Sequence, residues 1–104
     1  MTETPWADRQ LEAIRRFVRG ELNPREFTGE LLSARHQSVA AREILVGDFE
    51  DLLNDVWFAI DMHNEYDELR EPDEFDDAQL LQIVTGYLND WDSGTWQPDP
   101  RWEG

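Results

Sequence analysis

The stretch from Asp61 to Asp77 holds nine carboxylates and one arginine in seventeen residues. Carboxylates at that density can ligate a hard cation, work as acid–base pairs, or present a negative field to a cationic partner. A calcium loop of the EF-hand type needs oxygen ligands at alternate positions, glycine at the sixth and glutamate at the twelfth. Counted from Asp61, the sixth position is Tyr66; counted from Asp67, the third is Leu69 and the sixth is Pro72. No register fits, and no metal site is expected. Asp76 and Asp77 open a predicted helix, where carboxylates favour the positive end of the helix dipole. Capping therefore accounts for this pair without acid–base chemistry. The other chemical groups are sparse: two histidines, His36 and His63, and no cysteine. They give no nucleophile–base–orienter set and no metal-ligand spacing. Neither an enzyme nor a cofactor is expected, and His63 reads as a solvated loop residue.

The remaining use of the carboxylates is recognition. Residues 1–42 carry six Asp/Glu against seven Arg, a net of +1, whereas residues 43–104 carry eighteen against two, a net of −16. Concentrated like charge weakens a compact state by self-repulsion but speeds encounter with a basic partner. Clefts that handle nucleic acid are basic, so such a surface can compete for them. The alternative account is plain solubility. Tyr66, an aromatic amid the acidic loop, is a candidate anchor for such an interface.

The elements that must position these groups read as helices. Thr4-Pro5 suits an N-cap followed by proline, with Leu11, Ile14, Phe17 and Val18 at helical spacing and Gly20 as the stop. Asn23-Pro24-Arg25-Glu26 is a capping box opening a second helix with Phe27, Leu31 and Ala34 inward. Residues 35–47 show no clean period and are expected to be a connector packed on the core. Phe49, Leu52, Leu53, Val56, Trp57 and Ile60 make the strongest helical stripe. Phe58 lies at its edge, either covering the next helix or exposed at an interface. Asp76 with Gln79 caps a fourth helix, Phe75 and Leu80 can staple it, and Leu80, Ile83, Val84, Tyr87, Leu88 and Trp91 face inward. Within it, Gly86 suggests close approach to a neighbouring helix. No alternating Val/Ile/Thr-rich segment suggests a strand.

The expected fold is all-α: an antiparallel four-helix bundle with an acidic loop between the third and fourth helices and an irregular C-terminal tail. Residues 1–92 form the domain, and 93–104 an irregular or partly disordered tail, with partial pinning through Trp96 the favoured reading. No run of about 18 apolar residues spans a membrane, and no secretory leader is evident. With zero cysteine, the expected location is the cytoplasm. The free chain is expected to be a monomer.

Around helix 3 and the acidic loop the sequence resembles the colicin D immunity protein family, the bacterial self-protective colicin-like immunity proteins. The matching residues are Asp55-Val56-Trp57-Phe58-Ala59-Ile60-Asp61, Arg70, Asp73-Glu74-Phe75-Asp76-Asp77 and Leu80. Phe17-Val18-Arg19-Gly20-Glu21 and Glu26-Phe27 are also compatible, and the likeness covers about residues 8–91. The loop differs slightly in length from the family pattern. Residues 35–47 match poorly, and the tail from Ser93 has no counterpart. The resemblance implies a bundle that protects its producer from a tRNA-cleaving toxin by placing a tRNA-mimicking acidic face in the toxin's basic active site. It implies that Asp61 meets the toxin's catalytic histidine and that Glu65, Asp67, Glu68 and Glu71 pair with its Lys and Arg. No direct contact with nucleic acid and no membrane contact follow from it. Two rival readings share the acidic face: a nucleic-acid mimic that inhibits another DNA- or RNA-binding protein, and an immunity protein that binds a nuclease bacteriocin outside its active site.

Overall fold

The computed structural model describes residues 3–102, and the chain forms an antiparallel four-helix bundle: α1 (Pro5–Val18), α2 (Pro24–Ala40), α3 (Gly47–Asp61) and α4 (Asp77–Ser93). Single 3-10 turns occur at Asp67–Leu69 and Pro100–Trp102. No helix among the described residues is long and apolar enough to cross a membrane.

The two capping boxes form as the sequence predicts. Asn23 accepts from the Glu26 N–H at 2.8 Å while Glu26 accepts from the Asn23 N–H at 3.0 Å. Asp76 and Gln79 do the same for α4, at 2.7 and 2.9 Å. α1 is capped differently from the expectation. Thr4 precedes the helix but its side chain makes no capping bond. Instead Glu43, beyond the end of α2, reaches back and accepts from the Trp6 and Ala7 N–H groups, each at 2.9 Å, and from Ser38 Oγ at 2.8 Å. Burial opposes the Glu43 charge, but these bonds outweigh it and hold the carboxyl below the ordinary carboxylate range.

Residues 35–47 therefore differ from the expected connector. Residues 35–40 complete α2; the period is faint because the inner face there consists only of Ala34 and Ser38. The chain then turns through Arg42, whose φ of 56° is the left-handed conformation that usually favours glycine. Leu45 packs on the core, but Ile44 and Val46 stay exposed, and Glu43 does the anchoring.

The core joins Ile14 and Phe17 of α1, Phe27 and Leu31 of α2, Leu52 and Val56 of α3, and Leu80 and Val84 of α4. Phe17 and Phe27 stack with ring centroids 4.2 Å apart. α1 packs most extensively on α2, α3 packs on α4, and α1 also meets α4, where Arg15 clasps Asp92 through two 2.8 Å bonds. α2 and α3 scarcely touch, which leaves a seam between them. Gly86 is exposed, and a Cβ there would meet nothing, so it serves no close helix approach.

The described part of the tail packs back onto the bundle. Gly94 ends α4 with a φ of 73°, and Trp96 inserts beside Trp91, 6% exposed. The buried Asp55 of α3 accepts from the Asp99 N–H at 2.8 Å. Tyr87 OH donates to Asp99 at 2.6 Å and accepts from Trp102 Nε1 at 2.9 Å. Trp102 also lies over Phe58, centroids 5.8 Å apart, so the tail rather than the next helix covers Phe58 in part.

Candidate partner-binding face

The segment between α3 and α4 is a built loop. After α3, the Phe75 N–H donates to the Met62 carbonyl at 2.7 Å, and the Asn64 N–H donates to the Phe75 carbonyl at 2.9 Å, so the two ends of the loop run side by side. Arg70 Nε then donates to the Asn64 carbonyl at 3.0 Å from inside the loop. Asn64 Nδ2 donates to the Leu69 carbonyl and to Glu74, and Glu74 accepts from the Glu71 N–H at 2.8 Å. The Glu71 N–H and Asn64 together hold the Glu74 carboxyl below its ordinary range. His63, expected in solvent, is mostly covered: its Nε2 lies 2.6 Å from Asp77 Oδ1 at the start of α4. Asp77 is thus a strut to the loop, and Asp76 alone supplies the cap.

This scaffold presents Asp61, Glu65, Tyr66, Asp67, Glu68 and Glu71, all of them exposed. Asp61 is the last residue of α3, and the others follow within the next ten residues on the loop before α4. Two of the carboxylates have internal counter-ions. Arg25 of α2 donates to Glu65 at 2.8 Å, and this bond, with one from Tyr66, draws the Glu65 carboxyl below its ordinary range. Arg70 donates to Asp67 at 2.6 Å. Asp61, Glu68 and Glu71 make no ion pair among the described residues. The sequence did not reveal which members of the acidic set were already paired, because Arg25 lies 40 residues from Glu65. Sequence reasoning also passed over Leu69, a large apolar side chain exposed within the loop. Its place between Glu68 and Arg70 is the only signal that could have found it.

No group of three or more His, Asp or Glu among the described residues is placed to hold a metal ion. The face offers carboxylates, a phenol and an aliphatic side chain on a hydrogen-bonded loop, groups whose chemistry suits contact with cations. No family model, curated protein or solved structure matches this chain.

Proposed function

We propose that this chain is an immunity protein that neutralises a tRNA-cleaving toxin domain by lodging its acidic edge in the toxin's basic active site. The observation that carries the reading is the exposed, internally braced acidic loop after α3, where Asp61, Glu68 and Glu71 make no ion pair among the described residues. Asp61 stands at the rigid end of α3 and faces the catalytic histidine of the toxin; a carboxylate there makes a charge-assisted hydrogen bond about twice as strong as a neutral one. Tyr66 is the anchor, and Glu65, Asp67, Glu68 and Glu71 replace tRNA phosphates against Lys and Arg. The protein itself performs no catalysis in this scheme.

The test is a tRNA cleavage assay with the C-terminal domain encoded by the upstream neighbouring gene, with and without an equimolar amount of this protein. Stoichiometric inhibition that Asp61→Ala removes, with helicity intact, supports the plug. Continued cleavage within a tight complex sinks it and favours binding outside the active site.

A further inference from the structure

The end of the bundle opposite the acidic loop carries two tryptophans, where α3 begins and α4 ends. Trp91, in the last turn of α4, and Trp96, just beyond it, meet with ring centroids 6.3 Å apart and planes at 72°. Phe49 of α3 backs Trp91, its centroid 5.8 Å away. Together with Asp48 and Gly94, the two indoles line a hollow of about 200 Å³. Gly94 brings no side chain, and a Cβ there would meet nothing within 4 Å, so this wall stays open. The indole N–H of Trp96 is buried without an acceptor. The ring therefore meets the hollow through its carbon surface and not through its polar edge. Burying an unpaired donor is unfavourable, so the packing of the ring, not its N–H, holds Trp96 there.

The charges around the hollow select a cation. Asp48 is exposed and makes no ion pair among the described residues. No basic residue among the described ones lines the hollow. Arg15 reaches the end of α4 but is held there by Asp92. α4 directs the negative end of its dipole to this site, and Asp48 and Glu50 in the first turn of α3 offset the positive end of that helix. The face of an indole ring attracts cations as well. A primary ammonium would give up its hydrogen bonds to water on entering, and Asp48 is the one acceptor side chain on the walls. A methylated ammonium has no N–H to leave unpaired.

We propose that this hollow binds the methylated ammonium group of a small free ligand, with Trp91 and Trp96 as two walls of a cage and Asp48 as the counter-charge. Asp48 and Asp61 stand thirteen residues apart on α3, about 20 Å along the helix axis. The site is thus separate from the acidic loop and does not rest on the toxin reading.

Choline chloride, titrated into the labelled full chain and followed by the indole N–H signals in NMR spectra, tests this, with sodium chloride at equal ionic strength as the blank. The signals of Trp91 and Trp96 should shift and saturate. The neutral analogue with carbon in place of the choline nitrogen should bind about 10-fold more weakly. Asp48→Asn, at an exposed position, should weaken choline binding by about threefold, and Trp91→Leu by about tenfold, with helicity intact. Phosphatidylcholine vesicles carry the same group beside a phosphate, which Asp48 repels, and should not sediment the chain. Shifts that never saturate, equal affinity for the neutral analogue, or saturable binding that leaves Trp91 and Trp96 unmoved each overturn the proposal. So does binding that both variants leave unchanged, or capture by the vesicles without a response to free choline.

Discussion

Two carboxylates show how position decides what a charge does. Asp61 is exposed and makes no ion pair among the described residues, and in the proposed complex it becomes buried against a cationic group. Asp61→Ala should therefore raise the dissociation rate of the toxin complex and cost about 2–5 kcal/mol of affinity. Glu68→Gln, at the rim, should act mainly on the association rate; surface plasmon resonance separates the two. Glu43 acts inside the protein. Removing it leaves the Trp6 and Ala7 N–H groups uncapped, so Glu43→Ala should destabilise the fold by about 1–2 kcal/mol in urea unfolding. Its folded pKa is depressed. Its contribution is thus present above the unfolded carboxylate pKa and is lost as pH falls through the lower folded value. The difference in stability between the wild type and Glu43→Ala should shrink in acid.

At the scale of elements, the strap formed by the tail follows the same linkage from both sides. Burial raises the Asp99 pKa, but bonds from Tyr87 and Arg101 outweigh it and leave the carboxyl depressed. Burial and Asp99 push the Tyr87 phenol well above its ordinary value. Asp99 therefore holds the tail above the unfolded carboxylate pKa, and loses its hold as pH falls through the folded one. Tyr87 holds it below the unfolded phenol pKa and fails as pH rises through the folded value. The protection of the Trp102 amide, its exchange relative to an unfolded chain at the same pH, should be greatest near neutral pH and fall towards both extremes, and Asp99→Asn should flatten the acid limb. Gly86→Ala, at an open position inside α4, should stabilise the protein by about 0.5–1 kcal/mol, read from the same denaturant midpoints. The elements legible in the sequence were those set by neighbours. Asn23 with Glu26 and Asp76 with Gln79 are three residues apart, and they started α2 and α4 where expected. The end of α2 was not legible, because Ala34 and Ser38 give no apolar period. Nor was the tail's mooring, because Asp55 and Asp99 lie 44 residues apart. The acidic edge was visible as charge density, but its bracing by Asn64, Arg70 and Glu74 was not, since polar side chains in a loop announce no partner.

For the whole molecule, the uneven charge is a kinetic property first. Association with a basic toxin should approach about 10⁸–10⁹ M⁻¹s⁻¹ at low salt and fall steeply as salt is added. Stopped-flow measurement across a salt series checks this, and a flat dependence would remove electrostatic steering from the account. Affinity has to come from whatever is buried at the centre, since rim pairs contribute little. The Glu43 clasp has a consequence of another kind. The first helix is capped by a residue 36 positions downstream of Ala7. On the ribosome, then, α1 stays open at its leading end until residue 43 has left the exit tunnel. At that moment the first hairpin, with Phe17 stacked on Phe27, can close as one unit before the acidic half of the chain has emerged. The less charged half would thus be a finished template for the later half, whose own carboxylates repel one another.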